Sequence, residues 1–369
     1  MRKVRSLLFM SLLILGHSQC KKGLNHQNTS SSAQTNLTIK TFSGSPTTTR
    51  KGNPPNTELE ILDVKNDTAK YLAGPLSTKV IPAAYTVMII VGVPSNIITL
   101  WMLFSHTRSV PTRMLHINLA ISDFLFCLML PFKTAYHLNG NNWVFGEVMC
   151  RANTIMFYGN MYSSVFFLML IGISRYLAIV HPFTYKSLPK RFYITAACIL
   201  VWLIIFLSMF PFALTHQQYK INATQKITCH EVQLDTGEMS HFQHYYFIFL
   251  AIFGFWIPFV VLVFCYTAVI RTLYNYDQKW LWYVRLSILV IVIFAICFMP
   301  SNILLIIHHI TKFQYNQDNM YSIYLISLCL GSFNSCLDPF IHFTMIQLTT
   351  HSRSEQKMFQ LSKLVSSEH

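Results

Sequence analysis

Seven long apolar runs limit what this chain can fold into more than any other feature. They fall at residues 80–104, 112–136, 147–180, 192–214, 244–273, 281–310 and 320–343. Each reaches the ~20 residues that a helix needs to cross ~30 Å of hydrocarbon. With no water in that layer a spanning segment must satisfy its own backbone, so the runs read as helices in an all-α membrane bundle. Only 11% of the 369 residues are charged, against ~25% in a typical soluble domain. The formal charge of +14 does not mark a nucleic-acid binder. Its lysines and arginines form no single patch, and many flank helix ends on one side of the membrane. An odd number of spans with no internal repeat argues against a transporter built from paired repeats.

The chain ahead of the bundle divides in two. Arg2, Lys3 and Arg5 precede an apolar run over 7–15, followed by Gly16, His17 and Ser18. That is the pattern of a secretory signal peptide, placed at 1–20. From 21 to about 76 the sequence is rich in Ser, Thr, Asn, Pro and Lys and has little apolar surface to bury. It reads as a disordered extracellular tail. Asn28, Asn36, Asn66 and Asn222 head Asn-X-Ser/Thr glycosylation sequons. The expectation is a multi-pass plasma-membrane protein with its N-terminus outside, a bundle over 80–343 and a cytoplasmic tail over 344–369.

The spans carry polar and proline marks that a bare anchor does not need. The third opens on Cys150 and closes on Arg175-Tyr176. Asn96 lies in the first, and Asn118 and Asp123 lie in the second. The fifth has Tyr266, the sixth Pro300, and the seventh reads NSCLDPFIH from Asn334 to His342. An ionisable group inside a span is costly and usually faces the bundle interior. Each mark alone suits a kink or a packing polar. In this order, together, they resemble the rhodopsin-like seven-helix receptors.

That resemblance implies roles. Asp123, Ser164, Asn334, Ser335 and Asp338 would line a water-filled pocket able to hold a sodium ion. Arg175, Tyr176, Tyr266, Pro300, Asp338 and Pro339 would belong to the activation machinery, with Arg175 facing a heterotrimeric G protein. Cys150 would be tied to an outer loop. Cys127, Cys198, Cys265, Cys297, Cys329 and Cys336 lie within spans and Cys20 falls at the end of the signal peptide, so Cys229 is its expected partner in oxidising territory. Two positions depart from the family. Ser174 stands where an acid normally precedes the arginine, and His342 where the seventh-helix motif normally ends in tyrosine. Both weaken the case for strong signalling.

A narrower likeness comes from the loops. ITCHEVQ at 227–233, HLNGNNWVFGEVMC at 137–150, LSTKVIP at 76–82 and WLWYVR at 280–285 are similar to the protease-activated receptors, most closely a thrombin-responsive subtype. The likeness covers nearly all of 71–340. In that family a protease cuts the tail, and the new N-terminus acts as a tethered ligand. A trypsin-like pocket takes Lys or Arg before the scissile bond, and Lys40, Arg50 and Lys51 all qualify. The resemblance favours a cut after Lys40, releasing 21–40 and leaving Thr41-Phe42-Ser43-Gly44 at the head of an extracellular tail over 41–79. Thrombin is the first choice of protease. However, Arg50 and Lys51 stand where thrombin-cut members carry an acidic and aromatic stretch.

The freed ammonium needs a carboxylate and Phe42 needs an apolar hole. Glu231 is the nearest acid. The resemblance adds Leu304, Leu305, His308, Tyr321 and Tyr324, although tyrosines also gather at the membrane interface. The sequence carries no hydrolase, zincin or phosphate-loop motif, so no enzyme is expected. Two functions stay open: a receptor switched on by proteolysis, and a weakly signalling accessory that presents the protease or pairs with another protease-activated receptor.

Overall fold

The computed structural model describes residues 42–46, 61–64, 66–105, 113–234, 246–274, 281–315, 321–341 and 343. Among them are seven helices long and apolar enough to cross a membrane. They are α1 (Leu76–Ser105), α2 (Arg113–Leu138), α3 (Gly146–Val180), α4 (Lys190–Leu214), α5 (Tyr246–Tyr274), α6 (Val284–Ile307) and α7 (Ile323–Ile341). A helix occupies each expected run over its described residues. The first begins earlier than the hydropathy suggests because Leu76–Val80 forms a single π-helical turn after Pro75 and leads without a break into Ile81–Ser105. A second π turn, Ile252–Trp256, interrupts α5. There Gly254 lets α5 press on α3, since an added Cβ would stand 2.7 Å from Cδ1 of Tyr162.

Aromatic and aliphatic side chains from α3, α4, α5 and α6 fill the main core, with Phe167, Phe255, Phe294 and Phe298 almost wholly buried. Phe255, Phe259 and Phe294 stack with interplanar angles of 11°, 6° and 9°. Many large apolar residues, such as Trp101, Phe206, Leu207 and Phe264, are exposed. In water such a surface would aggregate; in a bilayer it faces lipid.

The tail is not uniform. Within the stretch expected to lack structure, Phe42–Pro46 forms strand β1, Ile61–Val64 forms β2, and Asn66–Ala73 forms a short helix. The loop between α4 and α5 supplies β3 (Gln218–Ile221), β4 (Ile227–Cys229) and β5 (Val232–Leu234). All five join one sheet in the order β4-β3-β2-β1-β5. Leu62 gives the physical reason that β2 orders. It is fully buried and packs with Leu72, Ile221, Val232, Leu305 and Tyr324. Burying one leucine is worth roughly 1.5–3 kcal/mol, enough to offset the ordering of one or two residues.

The signal peptide over 1–20, the segment 21–40, the tail over 344–369, and Lys40, Thr41, Asn28, Asn36, Arg50, Lys51 and His342 lie outside the described residues. For Phe42, Ser43, Gly44, Asn66, His308 and Tyr321 only the backbone is described.

Candidate functional site

The outer loop is fixed before any site is built on it. A disulfide joins Cys150 at the head of α3 to Cys229 at the end of β4, with 5.7 Å between Cα atoms. Glu147 adds a second clamp: its Oε1 accepts from the backbone N–H of Gln217 at 2.9 Å and its Oε2 from that of Gln218 at 3.0 Å. Arg151 Nε holds the same carboxylate at 2.7 Å. Trp143, fully buried, donates its backbone N–H to Ile227 O at 2.8 Å and packs with Tyr136, Cys150 and Cys229. The six cysteines within spans are free and buried, as expected.

Just past the disulfide, His230 sits in the left-handed region at φ 68°. Its ring lies 2.8 Å from Gln217 Oε1 and 3.1 Å from Tyr158 OH. This turn directs Glu231 into the bundle, where the residue is 2% exposed. Tyr136 OH donates to Glu231 Oε2 at 2.9 Å, and Lys133 Nζ lies 3.7 Å from Oε1. His137 Nε2 stands 3.9 Å from the same oxygen, while its Nδ1 donates to Asn141 Oδ1 at 2.7 Å. Burial pushes the Glu231 carboxyl above the usual carboxylate range, opposed by the Lys133 charge and the Tyr136 hydrogen bond. Glu231, Lys133, His137, Tyr71, Tyr85 and His230 all border one cavity of ≈ 40 Å³.

Beside this polar cavity lies the apolar half of the site. Leu305 and Tyr324 are each 2% exposed and share a cluster with Val232 and Leu62, with Leu304 packed against it. The structure therefore brings together four of the expected pocket residues, Glu231, Leu304, Leu305 and Tyr324. Sequence reasoning missed Lys133, Tyr136 and His137. The available signal was a Lys and a His four apart near the outer end of an apolar span, hence on one helix face.

Midway down the bundle, Asn160 Nδ2 donates to Asp123 Oδ1 at 2.9 Å and Ser335 Oγ donates to Asn160 Oδ1 at 3.0 Å. Ser164 Oγ reaches Asp123 at 3.4 Å, and Asn334 Nδ2 reaches Asp338 Oδ2 at 2.7 Å. Asn96 binds the Ser335 carbonyl at 2.9 Å. Asp123 Oδ2, Asp338 Oδ1 and Asn334 Oδ1 are buried without a hydrogen-bond partner. Hard oxygens left over among buried carboxyls call for a proton or a cation, so the donor set fits Na⁺. Asn160, the hub of this cluster, was not singled out from sequence. It lies one turn from Ser164 on the same helix face.

At the inner end Arg175 Nη1 donates to Tyr266 OH at 2.8 Å, tying α3 to α5. Arg175 makes no ion pair among the described residues, and Ser174 is buried beside it. Tyr176 OH lies 3.0 Å from His181 Nε2. Pro300 lies within the sixth helix and Pro339 is buried in α7. Replacing Tyr266 with Phe keeps the ring but removes the acceptor. Scanning calorimetry of the purified receptor is expected to show a melting point lower by about 2–4 °C. Asn222 is exposed, and its Nδ2 donates to Asp63 Oδ1 at 2.8 Å.

Seven spans, a loop disulfide onto the third and a carboxyl cluster at mid-depth define a seven-transmembrane receptor, and residues 95–342 match the 7 transmembrane receptor (rhodopsin family). The chain is 52% identical to Proteinase-activated receptor 3 of Homo sapiens, over 95% of this chain and 98% of that one. It is 50% identical to Proteinase-activated receptor 3 of Bos taurus, over 97% and 100%. Proteinase-activated receptor 4 of Mus musculus is 35% identical, over 77% and 72%. The chain belongs to the proteinase-activated receptors of the rhodopsin family.

Proposed function

We propose that this receptor is switched by a trypsin-like serine protease, with thrombin as first choice, cutting after Lys40 in an extracellular tail. The new N-terminus at Thr41 serves as a tethered ligand that acts on the bundle and through it on a heterotrimeric G protein. One observation carries this reading. A buried carboxyl, Glu231, stands beside an apolar cluster containing Leu305 and Tyr324, so an ammonium and an adjacent Phe side chain have complementary partners in one place. The test is the N-terminal sequence of the receptor retained on cells after thrombin, together with the G-protein response. The parent is expected to begin at Thr41 and respond. Lys40→Gln, which lacks the charge that the protease pocket takes, stays uncut and silent. Phe42→Ala is cut normally but responds at roughly tenfold or more higher protease dose, because burial of that ring is worth about 1.5–3 kcal/mol. Release of the same fragment from Lys40→Gln would move the cut to Arg50 or Lys51.

A second reading, the weakly signalling accessory that presents the protease or pairs with a related receptor, is favoured by Arg175 pairing with Tyr266 rather than with an acid. A strong response from the parent in cells lacking other family members would rule it out.

The mid-bundle cluster is proposed to hold Na⁺ through Asp123, Ser164, Asn334, Ser335 and Asp338, with its charge neutralising one carboxylate while a proton neutralises the other. Purified parent is expected to melt higher in sodium chloride than in choline chloride at equal ionic strength. Asp123→Asn is expected to melt alike in both.

A further inference from the structure

The sheet raises a question that the proposed switch leaves open: where the ligand segment lies before the cut. Strand β1 is bracketed. Against β2 it runs antiparallel, with Gly44 opposite Val64, Ser45 opposite Asp63 and Pro46 opposite Leu62. Against β5 it runs parallel, with Phe42 opposite Val232, Ser43 opposite Gln233 and Gly44 opposite Leu234. Both walls have anchors that do not involve β1. On one side, β2 pairs with β3, its Leu62 is wholly buried, and Asn222 holds it twice, through N–H to Leu62 O at 3.0 Å and Nδ2 to Asp63 Oδ1 at 2.8 Å. On the other, β5 starts at buried Val232, just after the disulfide at Cys229 and the buried Glu231. Between them is a slot one strand wide, lined on each side by backbone donors and acceptors that only an extended peptide can satisfy.

The slot has a polarity. Because β1 is parallel to β5 and Phe42 faces Val232, the N-terminal end of any occupant in this register points to the residue before Val232, which is Glu231. That carboxyl lies at the polar cavity bordered by Lys133 and His137. A peptide bound the other way round would bring its C-terminus there.

We propose that the slot between β2 and β5 is the docking site of the ligand strand, filled by Phe42–Pro46 in the uncut chain and kept in the same register after the cut. This rests on the cut after Lys40 proposed above. The protease adds water across the Lys40–Thr41 amide. Lys40 leaves as a carboxylate, and the Thr41 nitrogen becomes an ammonium, one residue ahead of Phe42. The cut therefore creates a charge at the Glu231 end of a strand already in place, and no distant ligand has to find the pocket.

The test uses paired cysteines in the full-length receptor on cells. Ser43→Cys with Gln233→Cys, and separately Gly44→Cys with Leu234→Cys, place cysteines in register, where neighbouring strands bring Cα atoms within disulfide range. Ser43→Cys with Leu234→Cys is the offset control. The pair is reduced mildly, thrombin is added or withheld, and the pair is re-oxidised. Both in-register pairs are expected to cross-link equally with and without cutting. The offset pair is expected to yield about tenfold less, since a slip of one residue turns the side chains to opposite faces. If both in-register pairs fail on uncut receptor that reaches the surface, the slot is not occupied before the cut. A cross-link that forms on uncut receptor and falls about tenfold after the cut, an effect as large as the slip of one residue, would mean that the ligand moves elsewhere. Either result overturns the proposal. Failure of the proteolytic switch reads out separately, as a parent receptor that loses no fragment or gives no response.

Discussion

Glu231→Gln is expected to leave surface expression and cutting intact while raising the protease dose for half-maximal response roughly thirtyfold or more. Removing one member of a buried charge pair costs about 2–5 kcal/mol, and each 1.4 kcal/mol is tenfold in an equilibrium. The pair in question is the proposed one, the Thr41 ammonium with a carboxylate that is 2% exposed. The variant also leaves Lys133 without its carboxylate at 3.7 Å. The Lys133 side chain keeps 15% of its surface, so part of that loss is made good by water. Adding Lys133→Met removes the orphaned ammonium, so the double variant separates the two effects: the melting point recovers and response does not. A double variant that responded like the parent would remove Glu231 from the ligand site.

The same residue sets a pH dependence. The folded protein binds the Glu231 proton more tightly than the unfolded chain does. This carboxyl therefore disfavours the fold increasingly as pH rises from its unfolded pKa, ~4.3, through its higher folded one. For function the sign runs the other way, because an ammonium needs the ionised form. Response of receptor already cut is expected to fall as pH drops and Glu231 takes up its proton, and Glu231→Gln is expected to flatten the profile. A profile that Glu231→Gln leaves unchanged would detach the effect from this buried group.

Cys150→Ser or Cys229→Ser is expected to remove most receptor from the surface. The bond closes a loop with a sequence separation of 79, and by the chain-entropy argument that is worth about 4–5 kcal/mol. It also holds the turn at His230 that aims Glu231 inward, and it joins the cluster of Tyr136 and Trp143. Cell-surface antibody binding and a dose–response curve check both parts. Single serine variants that reach the surface and respond like the parent would show the loop to be held by Glu147 and Trp143 alone.

What the sequence made legible follows from the range of the interactions. The spans could be read because hydropathy is a local property and a helix satisfies its own backbone. The mid-bundle cluster could be read because Asp123, Asn334 and Asp338 are conspicuous in hydrocarbon. Asn160, equally central, looked like any other polar residue on a long span. Strands β1 and β2 were hidden for a different reason. Phe42–Gly44 pairs with Val232–Leu234, nearly two hundred residues away, and nothing in FSGSP alternates. β2 reads ILDV, and three apolar residues in so short a run within a polar tail do not establish a period. Lys133 was passed over because its partner lies in a loop whose path depends on the disulfide.

The antiparallel pairing of β1 with β2 also bears on the effect of peptides added from outside. Residues 47–60 connect the proposed ligand strand, β1, to its anchored neighbour β2 in the chain. A short leash holds its cargo at a local concentration on the order of millimolar, and doubling its length costs only about 0.6 kcal/mol. Even a strand that binds the slot with about 4 kcal/mol, a millimolar affinity, then fills it about half the time. A soluble copy of Thr41–Pro46 must reach that concentration merely to compete with the resident strand. Weak agonism by such a peptide therefore measures the leash as much as the pocket.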